Sequence, residues 1–317
     1  MTRLYYAMLL AAFAILAGCA QNHFNLPQEA LAEKVKVLGI VPIITDTESD
    51  IRYPQKEELI ALFSAENRNH ERDLLRLVKN TNSFYTVTTL DVDPGATFKN
   101  LLFRRERRDD AAIQYNKYFW KEEPLAELMR KNSLDALMLV IVSGITRPDK
   151  VTSSNFMDSL ESEYNFLIIT AQIVDAKGTV LWEYPNFRRR SISYKPFINL
   201  QYPAFDEASA NMSGRINIKF KTIEGIKRAL DKKKKDILFR TTGDSELYIS
   251  QFEDMTSLIE IDRSRRPAQP ADSQKPQPTT EPVKAQPVKQ PPQEPVKVTP
   301  KEPAKETVLT PEEEAAK

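Results

Sequence analysis

Cysteine and histidine are nearly absent from this 317-residue chain, which contains one cysteine, Cys19, and two histidines, His23 and His70. A single cysteine excludes an internal disulfide. One cysteine and two histidines are also too few for the common zinc ligand sets and for most histidine-based catalytic triads. Glycine is scarce, with 8 residues, which argues against glycine-rich phosphate loops, and the net charge of +1 creates no global field for nucleic acid. We therefore expect no metal, no cofactor and no nucleic-acid partner.

The first 18 residues predict a secretory signal peptide. Arg3 precedes an apolar run from Tyr5 to Leu16, which is shorter than the about 20 apolar residues that span a bilayer. Residues 16–19 resemble a bacterial lipobox, and this implies that Cys19 is lipidated and becomes the mature N-terminus. Residues 19–34 would then form a lipidated tether. The alternatives are an ordinary signal peptide with a chance cysteine and a single membrane-anchor helix.

The residue after the cysteine, Ala20, bears on localisation. The lipobox resemblance implies that the lipoprotein sorting rule of Gram-negative bacteria applies. This rule favours the outer membrane when the residue after the cysteine is not aspartate. We therefore expect a lipid-anchored protein on the periplasmic face of the outer membrane.

The C-terminal segment, residues 263–317, has the composition of a disordered tail. More than half of the 21 prolines lie after Arg266, and residues 267–317 contain no aromatic residue, isoleucine, methionine or glycine. Such a segment buries too little apolar surface to offset the entropy lost on ordering. It is either a solvated tail without a partner or an extended spacer, similar in composition to that of TonB-type proteins.

Between tether and tail, residues 35–262 predict one α/β domain with the order β-α-β-α-α-β-β-β-α. Apolar runs predict strands at residues 35–44, 84–90 and 134–145, and a hairpin at residues 164–184 turns near Gly178. Helical patterns cover residues 54–79, 96–118, 123–131, 223–235 and 245–261. Strands separated by helices imply parallel pairing, while the hairpin is antiparallel. We expect a mixed sheet with helices packed on it.

Three of these stretches, residues 35–42, 134–144 and 167–182, resemble a periplasmic α/β module. The last of them ends in D-A-K-G-T-V-L-W. The module occurs in the curli-secretion lipoprotein, in the N-terminal domain of TolB and in lipoprotein activators of penicillin-binding proteins. The resemblance covers about half of the chain and implies an envelope protein that binds other proteins without catalysis. The chain departs from it at residues 96–121 and in the tail.

An aromatic and arginine-rich segment after the hairpin is a candidate partner-binding or self-association surface, because such residues dominate protein interfaces. Its members are Trp182, Tyr184, Phe187, Arg188, Tyr194, Phe197, Tyr202 and Phe205. The alternative is a loop that packs across its own sheet and buries these side chains.

Three carboxylates after the first strand, Asp46, Glu48 and Asp50, are candidates for acid–base catalysis, as in glycosidases. They also fit a plain acidic loop. We expect His70 to face solvent, residues 104–108 to form a solvated helix face, and the lysines at 232–235 to close a helix.

The sequence thus predicts a non-catalytic adaptor or assembly factor that binds other envelope proteins. A cell-wall or glycan-active hydrolase that uses Asp or Glu is the alternative.

Overall fold

The computed structural model describes residues 24–109, 113–152, 159–186, 194–205, 217–235 and 241–259. These residues all belong to one structural unit, Met1–Pro267. The predicted signal peptide, the lipidation site Cys19 and the predicted tail from residue 263 lie outside the described residues. Phe187 and Arg188 of the candidate surface also lie outside them.

The described helices and strands follow one another closely along the chain. In order they are α1 (Gln28–Lys34), β1 (Val37–Ile40), β2 (Ile44–Asp46), α2 (Lys56–Asn80), β3 (Thr86–Thr89), α3 (Pro94–Leu101), β4 (Leu102–Arg108), β5 (Tyr115–Trp120), α4 (Glu122–Lys131), β6 (Ala136–Thr152), β7 (Ser159–Val174), β8 (Val180–Tyr184), β9 (Ile198–Asn199), β10 (Gln201–Ala204), β11 (Asn217–Phe220), α5 (Ile223–Asp231), β12 (Lys233–Lys235), β13 (Thr241–Ser245) and α6 (Glu246–Ser257).

A mixed seven-stranded sheet forms the centre of the domain, with the order β3-β1-β6-β7-β8. Strand β2 also pairs with β6, and β9 pairs with β7. Strands β1, β2, β3 and β6 are parallel, whereas β7 is antiparallel to β6, β8 and β9. The predicted α/β class and mixed sheet are therefore confirmed.

Both faces of the sheet are covered, which explains the unbroken apolar run in β6. Met138 and Val140 point into a core shared with α2 and α6, which contribute Phe63 and Phe252 among others. Leu139 lies on the opposite face, in a second core formed with α3, β5 and α4. The domain therefore has three layers, with the sheet in the middle.

The prediction of a helix over residues 96–118 is wrong for most of its length. Helix α3 begins at Pro94, where Asp93 caps it by accepting a 2.6 Å hydrogen bond from the Ala96 N–H, and it ends at Leu101. The chain then forms the antiparallel hairpin β4–β5. Tyr118 and Trp120 have a spacing of two and bury their rings in the same core. Strand periodicity and aromatic packing therefore prevail over the helical charge pattern.

Three smaller expectations are also corrected. His70 is buried on α2, where its ring stacks on Tyr248 at 4.3 Å between centroids. Lysines 233–235 form strand β12 instead of a final helical turn. Strands β6 and β7 extend beyond the predicted bounds at residues 145 and 164, as far as Thr152 and Ser159.

Candidate functional site

The aromatic segment does not form one exposed surface. Trp182, Tyr184, Tyr194 and Phe197 are all buried, with at most 9% of their surface exposed. The expectation that these four side chains form an accessible surface is corrected, because the segment packs back onto its own sheet.

Specific contacts hold the buried aromatics in place. The indole N–H of Trp182 donates a 3.1 Å hydrogen bond to the Leu258 carbonyl, and the Tyr184 hydroxyl donates a 2.5 Å bond to Asp254. Burial, with contributions from Tyr194 and Asp254, raises the pKa of Tyr184 far above its ordinary value. The Tyr184 hydroxyl therefore stays protonated and serves as a structural donor.

Two members of the segment remain accessible. Tyr202 is 42% exposed on β10, and Phe205 is half-buried just after that strand. Strand β10 lies beside β7, where the Asn165 N–H donates a 2.8 Å hydrogen bond to the Gln201 side chain. The accessible part of the predicted surface is thus next to the middle of β7.

Strands β6 and β7 extend past this point as a two-stranded arm, residues 147–152 and 159–163, which we call the distal ribbon. Its register continues without a bulge to the Thr152–Ser159 pair. Among the described strands, none pairs with it besides the two that form it. Sequence reasoning missed the ribbon, although the alternation of charged and uncharged side chains at residues 160–164 was a signal for a strand.

One face of the distal ribbon is exposed and the other is half-buried. The exposed face is polar and carries charges of both signs; its members are Pro148, Lys150, Thr152, Ser159, Glu161 and Glu163. Lys150 lies directly across from Glu161. The half-buried face includes Val151, which packs against the larger core.

The base of the ribbon is fixed to the body of the domain. The side-chain amide of Asn165 donates to the Asp50 carbonyl at 2.7 Å and to the Thr146 hydroxyl at 2.9 Å, and its oxygen accepts from the Arg52 N–H at 2.9 Å. Arg107 of the hairpin donates a 2.6 Å bond to the Thr146 carbonyl. These bonds give the ribbon a defined direction relative to the sheet.

The first candidate carboxylate, Asp46, is buried beneath the β4–β5 hairpin. Its Oδ2 accepts a 2.6 Å bond from Arg105 and a 2.9 Å bond from the Tyr118 hydroxyl. Burial and the nearby Asp46 charge raise the pKa of Tyr118 well above its ordinary value. Sequence reasoning missed both partners because it placed them on a helix. The arrangement pins the hairpin to the end of β2.

Asp50 is likewise engaged in structural bonds, while Glu48 is exposed. Asp50 accepts from the Thr146 N–H at 3.1 Å and from Arg52 at 2.7 Å. Partial burial opposes ionisation of Asp50, but hydrogen bonds from Thr146 and Arg52 outweigh it and lower its pKa. A general acid requires a raised pKa, so this environment does not suit Asp50 for that role.

A small cavity of about 10 Å³ lies between the hairpin and the sheet, at the lower limit of the space that holds one water molecule. It is lined by Tyr115, Asn116, Tyr118, Thr170, Ala171, Gln172, Glu183, Tyr184 and Pro185. Glu183, one of the lining residues, forms a buried ion pair of 3.0 Å with Lys117. Sites for small organic molecules enclose roughly 300 Å³ or more, so this cavity does not fit a substrate.

Within the described ranges, no group of three or more His, Cys, Asp and Glu side chains is arranged to hold a metal ion. In the same part of the chain, no helix is both long and apolar enough to cross a membrane. No model of a known protein family matches this chain, and no curated protein sequence matches it. The resemblance to the periplasmic envelope module therefore stays a prediction.

Proposed function

We propose that this protein is an outer-membrane lipoprotein that acts as a non-catalytic adaptor or assembly factor for other envelope proteins. In this proposal Cys19 carries the lipid, the α/β domain lies in the periplasm, and the distal ribbon recognises the partner. The observation that carries the proposal is the ribbon, a rigidly based pair of strands with one exposed polar face.

A two-stranded ribbon with one exposed face suits protein recognition for two reasons. Its outer backbone N–H and C=O groups can pair with an added strand, which is a common mode of peptide recognition. Its exposed side chains, such as Lys150 and Glu161, can read the charge of that partner. Tyr202 on the neighbouring β10 adds an exposed aromatic ring of the kind enriched at interfaces.

The hydrolase alternative finds less support in the carboxylates. Asp46 is paired with Arg105 and Tyr118, and Asp50 is held by Arg52 and Thr146. A glycosidase requires two carboxyl groups that face a shared substrate, and one of them must hold a proton. The engagement of both aspartates in bonds within the fold favours the adaptor.

The test of the adaptor is affinity isolation of the native lipoprotein in mild detergent after crosslinking in the envelope. Replacing Lys150, Glu161 and Glu163 together by alanine should reduce recovery of a defined partner at least tenfold. The thermal midpoint should stay unchanged, because all three side chains are exposed. A matched control replaces three exposed helix residues, Glu57, Lys99 and Glu127.

Two outcomes would contradict the adaptor. Equal partner recovery with the ribbon and control variants would remove the ribbon from the proposal. Loss of the cellular phenotype in Asp46→Asn or Asp50→Asn, with folding and partner recovery intact, would favour the hydrolase.

Mass spectrometry of the purified mature protein tests the anchor. We expect the N-terminal peptide to begin at Cys19 and to carry acyl chains. A free thiol or an intact leader would refute the lipoprotein assignment.

A further inference from the structure

The end of the sheet at which the parallel strands begin collects exposed basic side chains. β1, β3 and β6 start side by side there, as the pairs Val37–Thr86 and Leu38–Ala136 show. Helices α2 and α4 both finish at this end, and the turn between β7 and β8 lies there too, because β7 ends at Val174, opposite Leu137. Besides Lys34, the exposed basic residues at this end are Lys36, Lys79, Arg130, Lys131 and Lys177. We call these five residues the basic end.

The basic end is not neutralised by ion pairs. Within the described residues, none of its five side chains forms a salt bridge. Of the nearby acids, Asp175 is paired with Lys34 at 2.5 Å, and Asp135 accepts the N–H groups of Lys36 and Val37. Glu33 and Glu127, the latter one helical turn before Arg130 and Lys131, are also exposed, so that with Asp135 three acids stand against the five basic residues. The surface therefore carries an excess of positive charge.

An exposed aromatic ring lies beside these charges. Tyr85 directly precedes β3, and its N–H donates to the Lys36 carbonyl at 3.0 Å. Its side chain is 91% exposed, the highest value among the exposed large hydrophobic residues. A tyrosine next to lysine and arginine is typical of surfaces that rest at the headgroup level of a membrane, where its ring is half in water and half in an apolar layer.

The point at which the N-terminal segment enters the domain is close to this end. Phe24 forms a β-bridge with Trp182, which is two residues beyond the start of β8 at Val180. Residues 19–23 can span at most about 17 Å when fully extended. A lipid on Cys19 would therefore keep the bilayer within that distance of Phe24, which is within reach of the basic end.

The distal ribbon lies beyond that reach. Phe24 bridges to Trp182, Trp182 pairs with Ile173, and Ile173 pairs with Met138. Met138 on β6 therefore lies at the same position along the strand direction as Phe24. At about 3.3 Å per residue, β6 carries Thr152 roughly 45 Å farther along the strand. With this short tether, the basic end would lie near the membrane and the distal ribbon would lie far from it.

We propose that the basic end is a membrane-facing surface that binds anionic lipid headgroups and directs the distal ribbon away from the bilayer. The proposal rests on the lipid anchor of the proposed function. Juxtamembrane lysines and arginines are each attracted to anionic headgroups, and the attraction falls off within a Debye length. The lipid on Cys19 limits the distance between the domain and the bilayer, and the basic end determines which side of the domain faces the bilayer.

The test uses the full lipoprotein reconstituted into vesicles and compares amine labelling of its lysines by mass spectrometry. We expect Lys36, Lys79, Lys131 and Lys177 to react at least fivefold more slowly in vesicles with 30% phosphatidylglycerol than in pure phosphatidylcholine. Lys99 and Lys150, exposed on helix α3 and on the ribbon, serve as internal controls and should react equally in both. Raising the salt to 0.5 M should abolish the difference.

A variant pair sharpens the test. Changing Lys79, Arg130 and Lys131 to glutamine should remove the protection of Lys36 and Lys177, whereas glutamine at Arg68, Lys99 and Lys233 should leave it unchanged. Equal labelling in both lipids, with the protein still bound to the vesicles, would overturn the orientation and leave the anchor intact. An unacylated Cys19 in the same spectra would instead refute the anchor.

Discussion

Arg105 of strand β4 places its Nη1 atom 2.6 Å from Oδ2 of Asp46, at the end of β2. The Asp46 side chain is 1% exposed, and the Arg105 side chain is 27% exposed. A second guanidinium nitrogen of Arg105 donates to the Glu48 carbonyl at 2.9 Å. This pair joins the β4–β5 hairpin to the central sheet, as does the bond from Tyr118, a member of the core that includes Phe98 and Trp120, to the same carboxylate.

Replacing Arg105 by leucine should therefore destabilise the domain by about 3 kcal/mol, because it leaves the Asp46 carboxylate buried without its cation. Urea unfolding followed by circular dichroism measures this change. The neighbouring Arg104 is half-exposed and pairs with Glu106, so Arg104→Leu should change the free energy of unfolding by less than about 1 kcal/mol. Equal effects of the two substitutions would show that the Arg105–Asp46 pair contributes no more to the free energy of unfolding than the exposed Arg104–Glu106 pair.

A methyl group at Gly144 should be poorly tolerated. A Cβ atom there would lie 2.5 Å from the Asp50 carbonyl oxygen, which belongs to the backbone and cannot rotate away. We expect Gly144→Ala to lower stability by about 2 kcal/mol or more, measured by thermal or urea unfolding. Gly243→Ala is the control, because a Cβ there meets nothing within 4 Å. A neutral Gly144→Ala would mean that the loop at Asp50 is free to move.

The Lys34–Asp175 pair should make stability depend on acidic pH. Partial burial opposes the charged form of Asp175, but hydrogen bonds from Lys34 and from the Thr179 and Lys177 N–H groups prevail and lower its pKa. A carboxylate with a lowered folded-state pKa stabilises the fold above its unfolded pKa of about 3.9, and this contribution is lost as pH falls through the folded value.

Asp175→Asn should therefore cost about 1 kcal/mol or more near pH 7, and the difference from the unmodified protein should shrink below about pH 4. Urea unfolding from pH 3 to pH 7 measures this difference. The exposed Asp91→Asn variant provides the baseline. A difference that persists at pH 3 would place the effect in packing instead of charge.

The buried and exposed aromatics of the segment after β8 should respond differently to truncation. Phe197 lies between Phe63 and Tyr248, with ring centroids 5.9 and 4.8 Å away. Phe197→Ala should lower stability by about 3–5 kcal/mol. Tyr202→Ala should change it by less than about 0.5 kcal/mol. Partner recovery should fall with Tyr202→Ala at unchanged stability, and a large loss of stability in this variant would contradict the exposed position of Tyr202.

The sequence allowed the central sheet to be predicted because its strands carry strong local signals. Residues 136–142 are apolar throughout, and the D-A-K-G turn leads to the β7–β8 hairpin, where Gly178 has a φ of 73°. The strand predicted over residues 35–44 is divided around Pro42, between the end of β1 at Ile40 and the start of β2 at Ile44. Local composition was sufficient for these elements because both faces of the sheet are buried.

The hairpin β4–β5 and the distal ribbon could not be predicted in the same way. Residues 104–108 have a charge pattern that fits a helix, but they lie in strand β4, where Arg105 contacts Asp46, 59 positions away in the sequence. The burial of Tyr184 and Phe197 depends likewise on α6, which follows far later in the chain. Candidate sites were harder to predict than strands because exposure is decided by such distant contacts.

Trp182 receives both ends of the described domain, since Phe24 bridges to its backbone and the Leu258 carbonyl accepts its indole N–H. The Ile259 carbonyl also accepts a 3.1 Å hydrogen bond from the hydroxyl of Ser83, which lies shortly before β3. A mechanical load applied between the residues before Phe24 and those after Ile259 would therefore act first on the contacts of Trp182 and Ser83, near the two edges of the central sheet.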